Sequence, residues 1–275
     1  SSRVYLPKVG NIKCKLHRFF EGDIKTCTVS RTTTGKYFIS IIVDNKEPVP
    51  EIQPFNSETT IGIDVGLIHF ATLSDGTKVE NPRIFKKTSV KLKRLQQSVS
   101  RKVKGSNNYK KAKLKVAKCH ETITNQRSDF LHKLSFTLVS ENQAIAIEDL
   151  NVSGMVKNRR LAKHIADASW SEFRSQLDYK CKKYGKTLLT IGRFDPSSKI
   201  CSHCGYHNKN LKLGDRMWIC SDCGSELDRD HNAAKNIKRF ALLKQNTGQG
   251  LPEEPVEIES DIIDASINES GSQRL

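Results

Sequence analysis

The sequence predicts an α/β protein built on a mixed sheet, and three observations carry that expectation. Two short, mostly apolar runs, "IGIDVG" at 61–66 and "AIAIEDL" at 144–150, have the length and apolar content of buried strands. Between them, Val90, Leu92, Leu95, Val99 and Val103 recur at roughly helical spacing. A further apolar run, "KTLLTIGR" at 186–193, follows a second helical stretch, so strands and helices alternate along the chain.

Taken in order, residues 4–44 read as strands. "GDIKTCTVSRTTTGKYFISIIVDN" holds two alternating, β-branched runs around Thr33, Thr34 and Gly35, which is a hairpin signal. Pro48, Pro50 and Pro54 make the following stretch a linker and put a first boundary near residue 56. A buried strand from Thr60, a second over His69–Leu73 and an Asp75-Gly76 turn into a third give three antiparallel strands. "GSNN" at 105–108 splits the helical region 88–140 into a helical hairpin. The strand at 144–150 leads to a helix around "SWSEFRSQLDYKCKKYG", with Gly185 as its C-cap, and "KTLLTIGR" is one more strand. Asp228 to Leu243 reads as the last helix, and 246–275 as an acidic, disordered tail.

The charge balance points to a partner. Forty-six Lys and Arg against 30 Asp and Glu leave +16 and a pI near 9.5, which suits a polyanion such as nucleic acid. Residues 86–118 hold thirteen Lys and Arg and no acid. Lys93, Arg94, Arg101 and Lys102 therefore mark the helical hairpin as a candidate nucleic-acid face, against the plainer alternative of a solvated charged surface. No run reaches the roughly 18 to 20 apolar residues of a membrane span, and no signal-peptide pattern opens the chain. A cytoplasmic, nucleoid-associated location without a membrane partner is the expectation.

Two groups of residues carry chemistry. Cys201, Cys204, Cys220 and Cys223 form two CxxC pairs fifteen residues apart, the spacing of a zinc ribbon over 197–226. Four thiolates fill a tetrahedral shell, so the Zn²⁺ would be structural, and His203 is not needed. Cys14, Cys27, Cys119 and Cys181 are scattered and expected as small core hydrophobes. The second group is acidic. Asp64 and Glu148 each end an apolar strand, where a carboxylate is costly unless something cationic meets it, and Asp228 and Asp230 open the last helix. Singly, a strand-end Asp is a common turn residue and Asp228 a good N-cap. Together, acids from two strand ends and a helix start could converge on divalent cations. Of the helix pair, Asp228 suits the cap and Asp230 the ligand. Ala233 and Ala234 would let that helix approach the sheet, and the second cysteine pair would limit how far its start can wander. Asp149 points to the other strand face and reads as structural. In "DPSSKICSHCG", Ser197 and Ser198 either bind phosphate or form a turn, and Arg127 and Arg193 are candidates for backbone-phosphate contacts. Trp218 either fills the ribbon's small core or stacks on a base.

The motifs "GIDVGLIHFATLSDG", "NQRSDFLHKLS", "AIAIEDLNVSGMVKN", "LAKHIADASWSEFRSQLDYKCKKYGK", "DPSSKICSHCG" and "CSDCGSELDRDHNAAKNI" resemble, in this order, those of the TnpB family. These are the RNA-guided DNA nucleases of insertion sequences, related to type V CRISPR effectors. The resemblance runs from about residue 4 to 250 and implies an RNase H-like (RuvC) sheet with a helical and a zinc-ribbon insertion, preceded by a partial β-barrel. It implies segments 1–56 (partial, wedge-like barrel and linker), 57–196 with 227–245 (nuclease core and closing helix) and 197–226 (ribbon). Asp64, Glu148 and Asp230 would then be the catalytic acids, holding two Mg²⁺ for phosphodiester hydrolysis by water, with guide RNA and target DNA as partners. Family members extend further at the N-terminus, so a missing N-terminal half or a second copy is a further partner to expect. The rival expectations are a non-cleaving RNA- or DNA-binding regulator, and a transposase using the same acids.

Overall fold

The structure is a computed structural model describing residues 3–48, 50–159 and 161–247. The acidic tail expected beyond residue 247 lies outside them. The chain divides into two compact units, one of Ser1–Val49 with Lys91–Thr122, the other of Pro50–Val90 with Ile123–Leu275.

The first unit opens with β1 (Arg3–Leu6) and β2 (Gly10–Lys13), paired antiparallel. β3 (Asp23–Arg31) and β4 (Tyr37–Asp44) form the expected hairpin, with a bulge at Ile24/Thr26 and Gly35 at φ +88° in its turn. Glu121 fastens that turn, accepting from Thr34 Oγ1 and Lys36 Nζ, both at 3.1 Å. Cys27 is exposed on β3 and Cys14 only half-buried, contrary to the expectation of four core cysteines, whereas Cys119 and Cys181 are buried. β3 belongs to a two-stranded sheet, so it lacks the second layer that would cover Cys27.

The second unit is built on a five-stranded mixed sheet. β5 (Thr60–Val65), β6 (His69–Leu73) and β7 (Lys78–Glu80) run antiparallel in sequence. Two helices follow, α1 (Ile84–Ser100) and α2 (Asn107–Glu141), parted at the "GSNN" break, with their Lys91–Thr122 stretch belonging to the first unit. Of the apolar positions read as one helical stripe only Leu92 is buried, and Val103 lies beyond the end of α1, exposed. After α2 come β8 (Ala144–Glu148), the short α3 (Val152–Met155) and α4 (Ala162–Ala168), then α5 (Trp170–Lys183) and β9 (Thr187–Ile191). Gly185, at φ +63°, follows the C-cap of α5 as the sequence suggested. The strand order is β7-β6-β5-β8-β9, with β5, β8 and β9 parallel. β10 (Met217–Ile219) and β11 (Glu226–Asp228) make a separate ribbon, and α6 (Arg229–Thr247) closes the unit.

Strand alternation decides which side chains meet which layer. Ile61, Ile63, Ile145 and Ile147 face a core shared with Leu131 and Leu138 of α2, Ile165 of α4 and Trp170, Phe173 and Leu177 of α5. Phe70 stands edge-to-face against Phe130 and Phe173, with ring centroids 5.0 and 5.2 Å apart. The opposite face is made of small residues. Ala144 and Ala146, with Leu189 and Ile191, pack on Ile237, Phe240 and Ala241 of α6. A Cβ on Gly62 would stand 2.2 Å from the Ala234 carbonyl oxygen, so α6 rests directly on the backbone of β5. Ala233 and Ala234 are buried there, as their size had suggested.

Candidate functional site

The alternation that turns Gly62 toward α6 turns Asp64 the same way, because residues two apart on a strand share a face. Ala144, Ala146 and Glu148 repeat this on β8. The parallel register pairs Ile63 with Ile147, so Asp64 and Glu148 come next on neighbouring strands. Asp230 lies in the first turn of α6, on the same side of the sheet.

The charges of the other two acids press on Asp64. Burial, then the charges of Asp230 and Glu148, raise the Asp64 carboxyl well above the usual carboxylate range, with Arg229 and Arg216 opposing. Glu148 is pushed up to about 7, first by burial and then by the charges of Asp195 and Asp149. Asp230 forms an ion pair with Arg216 at 3.3 Å. The acids are not drawn as close together as the cysteines, which among the described residues form the group whose ligand atoms all lie within 4.8 Å.

Several bonds fix the start of α6. Asp228 caps it, accepting from the His231 N–H at 2.9 Å, while its second oxygen meets Lys78 Nζ at 2.7 Å. Those hydrogen bonds outweigh the effect of burial and leave the Asp228 carboxyl lower than usual. His231 Nε2 lies 3.1 Å from the Ser74 carbonyl. The ribbon joins through the Arg229 N–H, which donates to the Arg216 carbonyl at 2.8 Å. Two buried asparagines one turn apart complete the frame. Asn232 donates to the Ile200 carbonyl at 2.7 Å and accepts from the Ser202 N–H at 2.8 Å, and Asn236 donates to the Ser197 carbonyl at 2.8 Å.

The two cysteine pairs are built alike. Gly205 and Gly224 follow Cys204 and Cys223 at φ +82° and +71°, and donate to the carbonyls of Cys201 and Cys220 at 3.0 and 2.9 Å. Sγ–Sγ distances of 3.8 Å (Cys201–Cys223) and 3.5 Å (Cys204–Cys220) lie near the roughly 3.8 Å edge of a tetrahedron with 2.3 Å Zn–S bonds. Burial pushes the Cys201 and Cys204 thiols up, whereas Ser225 holds Cys223 down to about 6. Four cysteine sulfurs gathered at these separations suit a divalent cation, and the residues fit zinc. His203 stands aside, with Nδ1 3.1 Å from Ser225 Oγ. Trp218 is buried among Leu211, Leu227, Cys201 and Cys220, so it fills the ribbon's core.

The other candidates are scattered. Arg127 pairs with Asp167 at 3.1 Å, tying α2 to α4. Arg193 pairs with Asp149 at 3.1 Å, and Arg174 is bonded to the same carboxylate. Ser197 is buried and Ser198 half-buried, their carbonyls engaged by Asn236 and Asn232. Lys93, Arg94, Arg101 and Lys102 are exposed. Sequence reasoning missed Arg216, the two asparagines and Asp195. Asp195 had a signal, as an acid just past the end of β9, the strand beside Glu148.

The family OrfB_IS605, described as "Probable transposase", matches residues 40–159, and the Cas12f1-like TNB domain matches 170–237. A Streptomyces pristinaespiralis protein named "Putative RNA-guided DNA endonuclease" is 46% identical over 227 residues, 82% of this chain and 55% of its own length. Its Escherichia coli K12 namesake InsQ is 37% identical over 280 residues, 94% of this chain and 68% of its own. The present chain thus spans about half of the first relative and two thirds of the second. A cryo-EM structure of a CRISPR-Cas12f ternary complex superposes on 77% of this chain and 44% of that one at a TM-score of 0.50 and 19% identity, a likeness of fold. A Methanocaldococcus jannaschii protein named "TnpB-like protein MJ0751" is 30% identical over 215 residues, 72% of this chain and 73% of its own length, and with these relatives the chain belongs to the TnpB family.

Proposed function

We propose that the chain is the cutting part of an RNA-guided DNA endonuclease, a RuvC-type RNase H core with a structural zinc ribbon. The observation that carries this is the trio of acids on one side of the sheet, Asp64 held far above its ordinary pKa by burial and by two like charges. Such a site gains most from a divalent cation. Mg²⁺ held by Asp64, Glu148 and Asp230, two ions in the full site, would supply Lewis acidity for hydrolysis of a phosphodiester by water. The chain's own part is to fix three carboxylates from two strands and one helix, and to leave their charge compensated only in part, by Arg229 and Arg216. Asp64 on the first strand of the sheet and Glu148 on the fourth support the RuvC reading.

Cys201, Cys204, Cys220 and Cys223 would hold Zn²⁺, which organises the ribbon without an open coordination position. Guide RNA and target DNA are the proposed partners, and Lys93, Arg94, Arg101 and Lys102 the proposed backbone contacts. Arg193 reaches phosphate only by releasing Asp149. In the test, Asp64→Ala, Glu148→Ala and Asp230→Ala each abolish Mg²⁺-dependent cutting of single-stranded DNA with RNA binding retained. Mg²⁺-dependent cutting by purified Asp64→Ala would overturn the assignment.

A further inference from the structure

The α6 face that carries Asn232 and Asn236 continues to Arg239, because positions 232, 236 and 239 fall at helical spacing. That face is fastened on both sides of Cys201. Asn232 accepts from the Ser202 N–H at 2.8 Å, Asn236 donates to the Ile200 carbonyl at 2.6 Å, and Ile200 packs on the cluster that holds Ile237 and Phe240. The fully buried Cys201 is therefore held against the helix that bears Arg239. Arg239 is half-buried, its guanidinium carbon 5.3 Å from the Phe240 ring centre, and its buried Nε has no hydrogen-bond partner. Burial pulls its pKa below the ordinary guanidinium value, and the charges opposing that pull are those of Cys201 and Cys204 rather than of a carboxylate. A cation with an unmade hydrogen bond away from water is costly unless an anion meets it.

Four thiolates around Zn²⁺ carry two surplus negative charges, and groups around a metal's ligands that offset or bond them strengthen the hold on the metal. On the metal-free thiols, burial and contact among the sulfurs outweigh the guanidinium. Its effect is due once zinc has displaced the protons from all four. We infer that Arg239 is a positioning residue of the cysteine cluster, offsetting from α6 the charge of the zinc-bound Cys201 and Cys204 thiolates, so that zinc is held by the closing helix as well as by the ribbon. An arginine that only packs on Phe240 would stabilise the chain with or without metal. A counter-charge behaves differently: without zinc it is an unmatched buried cation, and with zinc a matched one. The inference rests on Cys201, Cys204, Cys220 and Cys223 holding Zn²⁺.

The test compares the intact chain with Arg239→Met, which removes the charge but keeps an unbranched side chain, and with Arg239→Lys, which keeps the charge. Zinc affinity is read by competition with a chromogenic chelator, and the stability of the zinc-stripped chains by urea denaturation. Arg239→Met is expected to weaken zinc binding about 10- to 100-fold while leaving the zinc-free chain at least as stable as the parent. Arg239→Lys is expected to recover most of the affinity. Unchanged zinc affinity in Arg239→Met overturns the inference, as does a zinc-free stability that falls together with the affinity, or a loss in Arg239→Lys as large as in Arg239→Met. If Arg239→Met does not fold, Arg239→Gln takes its place with the same expected and overturning results. The zinc assignment is read separately on the parent chain. A parent that binds no stoichiometric zinc overturns the cysteine site, whereas a parent and an Arg239→Met variant that bind one zinc equally tightly overturn the role of Arg239 alone.

Discussion

Asp228 and Asp230 stand two residues apart with different work. Asp228 is spent on the helix cap and Lys78, so Asp228→Ala should cost about 1 kcal/mol of stability and leave cutting largely intact, as chemical denaturation beside a cleavage assay would show. The raised acids make a pH prediction of definite sign. A carboxyl with a raised folded pKa is neutral in the folded chain at pH values where the unfolded chain has already lost the proton, so stability falls as pH rises from about 4.5 to about 7 for Glu148. In chelator, Tm should fall across that interval, and Glu148→Gln should flatten the fall. Mg²⁺ should raise Tm at pH 8 and do little at pH 5. The acids and the cap were legible in the sequence because each sits at an element boundary that local pattern marks. Arg216, 14 residues from its partner Asp230, and Asp167, 40 residues from Arg127, carry no local pattern, so their pairings needed the fold.

At the scale of elements, α6 depends on the absence of side chains beneath it. Gly62→Ala puts a methyl group 2.2 Å from a backbone oxygen, which only movement of the helix can relieve. A loss on the order of 1–3 kcal/mol is expected, with cutting reduced further because Asp230 moves with the helix. The hairpins, the parallel strands and the C-cap of α5 followed from periodicity and turn chemistry. The stripe read over 90–103 did not, because Val90 on α1 and Val103 beyond its end are both exposed and meet no second layer. Buried Asn232 and Asn236 were invisible for another reason: asparagine reads as a loop residue, and only the carbonyls of the loop at 197–200 explain two of them one turn apart. Through Asn232 and Arg216 the ribbon grips the start of α6. Cys204→Ser should therefore abolish stoichiometric zinc, measured by elemental analysis, and weaken cutting even though no thiol lies among the acids.

For the whole molecule, the +16 charge is concentrated in a helical region free of acid over 86–118, so electrostatics should dominate strand binding. Reversing Lys93, Arg94, Arg101 and Lys102 to Glu should reduce the slope of log K against log salt by about 3, if each meets one phosphate of a single strand. An unchanged slope would remove these residues from the interface. Among the described residues no helix is long and apolar enough to cross a membrane. The position of α6 also sets an order of events. The groove over Gly62, Ala144 and Ala146 is laid down early in the chain, while the helix that fills it is synthesised after both cysteine pairs. A nascent chain can thus complete its sheet and its first two acids well before the third exists. On the proposed reading, a product that ends before Asp230, or one starved of zinc, should leave DNA uncut, because the last acid to be translated follows directly on the cysteine segment.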